Sequence, residues 1–369
     1  MAASPRGDGL CVESVSLSRG GRRILDSVGF GLGRGRLLAV VGPSGAGKSS
    51  LLAALAGFDP PDEGSVSFDG QDLAALDPSL RGIGMSFDDA ALHEHLTVFE
   101  NLESAVLARG EAADRRASRV KSIAESLGIE PLLRRRPSML SAGERRRVAV
   151  GRVFIRAPRL ALLDEPFANL DRTNRLVIRR LVRDLQRSSG TTTIVVTHDP
   201  TDAMAIADDM LVLVDGRVRA HGTAAAVFAR PSDLETAQLV DDLGMHVVEH
   251  RPGAQEPGLL VAPAFDEHLA ELQAAAGTQG TVLLGVRPWQ VRSGAPRAPS
   301  VAIEARVLAV EPAGLFADAI AVRHDGRTLR ARVSARAAQE LPIGEVARFH
   351  VHEVDIHLFG GPWPGRRID

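Results

Sequence analysis

Short, nearly continuous apolar runs alternate with longer amphipathic stretches over about the first 230 residues of the chain. Such runs are typical of parallel strands covered on both faces, because neither face then needs polar side chains. The runs predicted to be strands are Arg36–Val41, Leu160–Leu163, Thr193–Val196 and Met210–Val214. Between them, helical spacing and surface charge predict helices at Asp114–Leu127 and Thr173–Gln186. This alternation predicts an α/β domain with a largely parallel sheet.

Beyond about residue 230 the pattern changes to short strands separated by turns such as Glu311–Gly314 and His324–Gly326. One helix is expected at Ala264–Ala276. The predicted strands are Thr281–Val286, Ala302–Val310, Ala317–Val322, Thr328–Val333 and Val346–Leu358. Many short strands with regular turns predict a small barrel or sandwich. We therefore expect two domains, residues 1–232 and 233–369, with a helical subdomain at about 90–158.

Composition narrows the classes of partner and compartment. Hydrophobic residues make up 44% and charged residues 24% of the chain, which is sufficient for a buried core. The net charge is −2, so no nucleic acid is expected as a partner. A single cysteine, Cys11, excludes an internal disulfide, and the sequence has neither a signal peptide nor an apolar run of ~18 residues. We expect a soluble chain in a reducing cytosol.

Residues 42–49 fit the phosphate-binding loop G-x4-G-K-[ST], between an apolar strand and a helical run at Ser50–Ala56. Its glycines would turn backbone N–H groups toward phosphates, and the helix N-terminus would add its dipole. Lys48 would reach the β- and γ-phosphates, and the Ser49 hydroxyl would bind Mg²⁺. Only Lys48 and Lys121 are lysine among 44 basic residues, which indicates that position 48 needs a compact ammonium group. The predicted phosphate-loop contacts are Gly42, Pro43, Ser44, Gly45, Ala46, Gly47, Lys48, Ser49 and Ser50.

An acidic pair, Asp164 and Glu165, follows the apolar run that ends at Leu163. Two acids after a strand usually form a turn or a helix cap, but a phosphate loop in the same domain gives them a chemical role. Asp164 would hold Mg²⁺ through water, and Glu165 would act as the general base on the attacking water.

Three further motifs complete the series. Leu140–Glu144 precedes the acidic pair and stands before a helix predicted at Arg145–Ile155, and Asn169–Asp171 and Thr197–Asp199 come after the pair. With the loop and the acidic pair, they make about the first 230 residues resemble the nucleotide-binding subunit of an ATP-binding cassette (ABC) transporter. In that family they correspond to the signature, the D-loop and the switch-histidine loop.

The resemblance implies an α/β P-loop NTPase domain that binds ATP and Mg²⁺ in a head-to-tail homodimer. Each ATP would lie between the phosphate loop of one subunit and the signature of the other, where a helix N-terminus favours an anion. Glu165 and His198 would be catalytic, and Ser49, Asp164 and Asp88 would hold the metal. The other implied nucleotide contacts are Arg19, Asp88, Ser141, Gly143, Glu144 and Asp171. The implied partners are two membrane-spanning permease subunits and, indirectly, an extracytoplasmic substrate-binding protein, with the chain peripheral on the inner face of the membrane.

Three places depart from the family pattern. Arg19 stands where an aromatic ring usually stacks on adenine, and its guanidinium could stack instead or point to solvent. Asp88 replaces a glutamine in the lid, which puts water positioning and coupling in question. Ala142 and Glu144 replace Gly and Gln of the signature, and a methyl at position 142 is unfavourable if φ there is positive.

Leu284–Pro288 and Val354–Phe359 make the C-terminal third resemble the accessory barrel of importer ATPases for sugars, iron, polyamines and oxyanions. This implies a small all-β, OB-like (TOBE-like) regulatory barrel. The main hypothesis is an ATP-hydrolysing importer subunit. A regulatory subunit that binds ATP but hardly hydrolyses it, a non-transport ABC ATPase, and transport by export remain alternatives.

Overall fold

The computed structural model describes residues 8–77, 80–87, 92–107, 110–242, 244–276, 280–293, 299–360 and 366–368. The chain divides into two compact units, Met1–Ala229 and Arg230–Asp369. None of the helices in the described ranges is long and apolar enough to span a membrane.

Ten strands and seven helices are described in the first unit. The strands are β1 Leu10–Arg19, β2 Arg22–Leu32, β3 Leu37–Val41, β4 Glu63–Phe68, β5 Gln71–Asp72, β6 Ile83–Ser86, β7 Leu160–Asp164, β8 Thr192–Val196, β9 Asp209–Val214 and β10 Arg217–Thr223. The helices are α1 Lys48–Ala56, α2 Val98–Ser104, α3 Ala113–Leu127, α4 Ala142–Phe154, α5 Arg172–Ser189, α6 Pro200–Ile206 and α7 Ala224–Ala229.

The strands of the first unit form two sheets. An antiparallel sheet has the order β2-β1-β4-β5, and a six-stranded sheet has the order β10-β9-β3-β8-β7-β6. In the second sheet β9, β3, β8, β7 and β6 are parallel. Val196 of β8 is in register with Val40 of β3 and with Asp164 of β7. The loops that follow these three strands therefore emerge at one edge of the sheet, which is where ligands bind in open α/β sheets.

Two hydrophobic cores lie on opposite faces of the six-stranded sheet. One packs β1, β2, β4 and α1 against side chains such as Leu38 and Leu162. The other packs α2, α3, α4 and α5 against alternating side chains such as Ala161 and Leu163. Strands covered on both faces explain the continuous apolar runs, and the expected α/β fold is confirmed.

Helix α4 begins earlier than expected, at Ala142 rather than Arg145. Ser141 is its N-cap and accepts a hydrogen bond from the backbone N–H of Glu144, while the Glu144 carboxylate accepts one from the N–H of Ser141. This capping box places the signature in the first helical turn, not upstream of the helix.

The second unit is rich in strands. Its strands are β11 His246–His250, β12 Leu259–Leu260, β13 Val282–Val286, β14 Arg292–Ser293, β15 Ser300–Ala313, β16 Phe316–Arg323, β17 Thr328–Ser334, β18 Val346–His352, β19 His357–Gly360 and β20 Arg366–Arg367. Its helices are α8 Leu234–Leu239, α9 Pro263–Ala275 and α10 Ala335–Gln339. One antiparallel sheet has the order β11-β13-β19-β20, and another has the order β14-β18-β15-β16-β17, with β12 paired to β15. One core joins both sheets to α9 and confirms the β-rich second domain.

Two expectations for the second unit need correction. The predicted strand Val346–Leu358 is two strands in different sheets, because a 3-10 turn at Glu353–Asp355 separates β18 from β19. The predicted turn at Glu311–Gly314 is shorter, since β15 continues to Ala313 and pairs it with Phe316.

Candidate active site

The phosphate loop joins the end of β3 to the start of α1, and its glycines are required by close backbone approaches. A Cβ at position 42 would lie 2.0 Å from the Leu213 carbonyl oxygen, and one at position 47 would lie 2.9 Å from that of Ile24. Gly47 has φ 97 and is the N-cap of α1, a conformation that L side chains rarely adopt. The loop is therefore folded against the sheet with the helix N-terminus directly behind it.

Lys48 is the first residue of α1 and is buried. Its Nζ donates to the carbonyl oxygens of Gly42 and Pro43, each 2.9 Å away. Burial lowers the pKa of Lys48, while the charges of Glu165 and Asp164 act in the opposite direction. The ammonium group is thus held inside the loop by backbone acceptors that phosphate oxygens could replace.

Glu165 and His198 meet at the edge of the sheet, after β7 and β8. The His198 Nδ1 lies 2.9 Å from the Glu165 Oε2. Glu165 has φ 44, and its backbone N–H donates to the Val196 carbonyl oxygen at 3.0 Å, which joins the ends of the two strands. The structure therefore brings together the two residues predicted to be catalytic, and it holds Glu165 in a left-handed conformation that is uncommon for a residue with a side chain.

Burial raises the pKa of Glu165, and the hydrogen bond from His198 and the charge of Lys48 partly offset that rise. A carboxylate whose pKa is raised toward neutral pH is a stronger base than an exposed one, so the shift suits a general base. The Glu165 side chain remains 17% exposed, which leaves room for a water molecule to reach it.

A cavity of about 790 Å³ lies in front of the phosphate loop. Its lining includes residues 43–50 and Glu165, as predicted for a nucleotide site, and also Asp215 and Gly216. The lining further includes Arg22, Arg23 and Ile24, three residues at the start of β2 that sequence reasoning missed. The available signal was their position just after the Gly20-Gly21 turn of the hairpin that β2 forms with β1.

Arg19 is not among the residues that line this cavity. It ends β1, and its guanidinium forms an ion pair with Asp59. The structure therefore supplies Arg19 with a protein partner, Asp59, while more than half of its side chain stays exposed. Asp88 lies outside the described residues.

The signature residues lie against the start of α5. Gly143 is buried, and a Cβ there would lie 2.6 Å from the Asn174 Oδ1. Asp171 is the N-cap of α5 and accepts hydrogen bonds from the backbone N–H groups of Thr173 and Asn174. The signature thus packs against the start of α5, and a side chain at position 143 would have to displace that of Asn174.

Ala142 does not carry the strain considered for it. It is the first residue of α4, and it is absent from the residues with positive φ. The helical backbone accepts a methyl group there, so this departure from the family pattern leaves the anion-binding helix N-terminus intact.

The donor set near the phosphate loop suits Mg²⁺. Ser49 offers a hydroxyl oxygen, and the buried Asp164 offers a carboxylate oxygen close enough to act electrostatically on Lys48. In the described part of the chain, no group of three or more His, Cys, Asp or Glu residues is arranged to hold a metal. Mg²⁺ is commonly held by one or two carboxylates together with substrate phosphates rather than by a protein cage. The residues present therefore fit a magnesium ion that arrives with its nucleotide.

Comparisons with known proteins match the geometry. The family model described as ABC transporter matches residues 25–168. An sn-glycerol-3-phosphate import ATP-binding protein UgpC of Brucella abortus is 33% identical over 364 residues, which is 97% of this chain and 99% of that protein. The UgpC of Chromohalobacter salexigens is 35% identical over 94% of each chain. Among solved structures, the dimeric ATP-binding cassette MJ0796 bound to ADP and Pi has a TM-score of 0.53 and 28% identity, covering 58% of this chain and 98% of that one.

Proposed function

The chain belongs to the family of ATP-binding subunits of ABC transporters, and on this premise we propose how its residues perform the reaction. The chain binds ATP and hydrolyses it as the energy-coupling subunit of an importer. The single observation that carries the proposed mechanism is the Glu165–His198 contact at the carboxyl edge of the sheet, beside the phosphate-loop cavity.

The phosphate loop binds the triphosphate. Its backbone N–H groups and the N-terminus of α1 surround the phosphates, and Lys48 exchanges its two backbone acceptors for β- and γ-phosphate oxygens. Because the loop is already folded and its lysine already buried, binding requires little reorganisation of the chain.

Glu165 accepts a proton from the attacking water, and the water oxygen forms a bond to the γ-phosphorus as the bond to the bridging oxygen breaks. The products are ADP and inorganic phosphate. His198 orients Glu165 through the 2.9 Å contact, and its proposed second role is to donate to the γ-phosphate. Ser49 and Asp164 would hold Mg²⁺, which when bound neutralises part of the charge on the phosphates.

The chain works as a homodimer in which the signature of one subunit covers the ATP of the other. The N-terminus of α4, with Ser141, Gly143 and Glu144, and the N-cap Asp171 of α5 are the surfaces offered to the partner's nucleotide. The capping box supports this assignment, because it fixes the first turn of α4 and its N–H groups before the partner arrives.

Two permease subunits anchor the chain at the inner face of the membrane, and an extracytoplasmic binding protein delivers the solute. Residues 90–138 are the docking surface for the permeases, and the second unit, 233–369, is the regulatory TOBE-like domain. The relatives are named for sn-glycerol-3-phosphate import, so that solute is the first to test in vesicles that contain the permease subunits.

Phosphate release from ATP by the full chain, with Glu165→Gln as the variant, tests this proposal. Loss of a general base is expected to lower kcat about 100- to 1000-fold, while the ATP dissociation constant stays within about threefold. The matched control is Asp184→Asn, which removes an exposed carboxylate on α5 and leaves kcat unchanged. Undiminished turnover in Glu165→Gln overturns the base assignment, and a wild-type chain that releases no phosphate with its permeases overturns the function.

The alternative of a regulatory subunit that hardly turns over ATP is not favoured. Its support came from Arg19, Asp88 and Ala142, and Ala142 fits its helical position without backbone strain. The same phosphate-release assay separates the two alternatives.

A further inference from the structure

Three arginines on α5 follow one another at four-residue spacing and face three aspartates on the chain that follows β8. Side chains four residues apart lie on one face of a helix, so Arg175, Arg179 and Arg183 form a row. Their partners are Asp199, Asp202 and Asp208 respectively. The row is a connection between α5 and the segment that carries the switch histidine.

Two of these aspartates hold the residues on either side of His198. Asp199 follows His198 directly, caps α6 by accepting from the Thr201 N–H, and pairs with Arg175 at 2.5 Å. Asp202 has a side chain that is only 1% exposed, pairs with Arg179, and accepts from the Thr197 hydroxyl at 3.4 Å.

Arg175 touches both of these aspartates. Its Nη1 reaches Asp199, and its Nη2 lies 3.6 Å from the Asp202 Oδ2. The His198 ring is 56% exposed, so packing of its own side chain does little to fix its position. The Thr197 N–H donates to the Val40 carbonyl oxygen, and the side chains that contact the residues on both sides of His198 are held by ion pairs whose arginines come from α5.

We propose that Arg175 is a positioning residue for ATP hydrolysis: with Arg179 it holds the switch loop so that His198 stays in contact with Glu165. The inference rests on the proposed function of His198 and Glu165. Arg175 touches neither of them, and it acts through Asp199 and Asp202. Without the arginine, the loop gains freedom and the His198–Glu165 contact is populated for a smaller fraction of the time.

Replacing Arg175 by alanine is the first test. A misplaced catalytic group reduces turnover steeply, so we expect Arg175→Ala to lower kcat about 10- to 100-fold. The KM for ATP and the dissociation constant of a fluorescent ATP analogue should stay within about twofold, because the phosphate loop does not depend on this ion pair. Arg175→Lys should recover part of kcat, since an ammonium group can still pair with Asp199 but cannot reach Asp202 at the same time as the guanidinium does.

Arg183 provides a matched control on the same helix. It forms an ion pair with Asp208 through two hydrogen bonds, the shorter of them 2.5 Å, and the arginine side chains are similarly buried, 19% exposed for Arg183 and 27% for Arg175. Asp208, however, accepts from the backbone N–H of Leu37, at the start of β3 and away from the switch loop. Arg183→Ala should therefore destabilise the fold about as much as Arg175→Ala and leave kcat within about twofold of wild type.

Asp199→Asn keeps the test decisive if Arg175→Ala does not fold. The amide oxygen can still cap α6, but the charge that attracts Arg175 is lost, so kcat should again fall with KM nearly unchanged. Where both single variants fold, the double variant should be no slower than the slower single variant, because both changes break one interaction.

The results that overturn the inference are distinct from those that overturn the proposed function. A kcat of Arg175→Ala equal to that of Arg183→Ala, or a raised KM at unchanged kcat, removes the positioning role while wild-type hydrolysis stands. Additive losses in the double variant remove it as well. A wild-type chain without ATPase activity overturns the proposed function first.

Discussion

The buried charged groups at the candidate active site are paired differently from those of the second unit. In the first unit Lys48 donates to two backbone carbonyls, and Glu165 contacts His198. In the second unit Arg287 and Asp241 lie 2.8 Å apart with side chains 2% and 1% exposed. There His250 also lies between two carboxylates, those of Glu256 and Asp266, at 2.6 Å each.

The difference distinguishes charged groups that can bind a ligand, such as Lys48, from charged groups that stabilise the fold, such as Arg287 and Asp241. Burial lowers the pKa of Lys48 and raises that of Glu165, so burial disfavours the charged form of each group. A phosphate group would supply the missing charge for Lys48. In the second unit Arg287 and Asp241 already supply opposite charges to each other, so this pair needs no ligand. We therefore expect substitutions to reduce function in the first region and stability in the second.

The largest expected effect is on nucleotide binding. Lys48→Ala should weaken ATP binding about 100-fold or more, because it removes charged hydrogen bonds to two phosphates. The melting temperature of the nucleotide-free chain should change little, since the partners it loses are backbone carbonyls. Titration with a fluorescent ATP analogue measures the affinity. The control is Lys121→Ala, which removes the only other lysine, an exposed residue on α3; equal losses in both variants contradict the comparison.

Arg287→Ala should reduce stability and leave function unchanged, the reverse of Lys48→Ala. Leaving Asp241 buried without its charged partner is expected to lower the unfolding free energy by about 3–5 kcal/mol, with kcat per folded molecule unchanged. Urea unfolding and phosphate release on the same samples give both values. Arg327→Ala is the control, because its pair with Glu249 is about half exposed and should contribute less than about 1 kcal/mol. A loss no larger than that of the control contradicts a structural role for the buried pair.

Asp266→Asn tests the histidine cluster through pH. Burial alone would raise the pKa of Asp266, but hydrogen bonds from His250 and from the Gly253 N–H hold it below its usual value. A depressed carboxyl pKa contributes stability above the unfolded-state value of 3.8, and this is lost as pH falls through the folded-state pKa. Urea midpoints of wild type and Asp266→Asn should therefore differ by a constant amount above about pH 4 and converge only at lower pH, as pH falls through the depressed folded-state pKa. A difference that stays constant down to about pH 2 contradicts the prediction.

The smallest expected effect concerns the cap of α4. Ser141→Ala removes the acceptor for the Glu144 N–H and should lower the unfolding free energy of the nucleotide-free chain by about 1 kcal/mol. Ser126→Ala on α3, an exposed serine inside a helix, should change it by less than about 0.5 kcal/mol. Thermal unfolding compares the two. If they match, the capping box does not stabilise the helix, and the signature would gain its order only with the partner subunit.

The sequence was most informative where structure is local. The phosphate loop, the acidic pair and the strands around them follow from spacing and from apolar runs, because the residue types that each of them requires stand next to one another in the sequence. The start of α4 was predicted too late, at Arg145, although Ser141 and Glu144 have the S-x-x-E spacing of a capping box. The end of β18 was not predicted, because the apolar pattern continues through the turn at Glu353–Asp355.

Contacts between distant positions could not be predicted from one sequence. The Arg19–Asp59 pair joins residues 40 positions apart, and it gives Arg19 a partner that the sequence did not indicate. The pairs of Arg175 and Arg179 depend on how α5 lies against α6, which neither helix specifies alone. The residue types in the motifs indicated the chemistry of the site. The contacts that hold those residues in place could be identified only in the structure.

The most direct test of the contrast between the two units measures phosphate release and thermal unfolding in parallel for Glu165→Gln and Arg287→Ala. We predict that Glu165→Gln loses turnover and keeps or slightly raises its melting temperature, because a neutral amide replaces a carboxylate that burial disfavours. Arg287→Ala should lose melting temperature and keep its turnover per folded molecule. Loss of both properties in both variants would contradict the division between a catalytic region and a structural one.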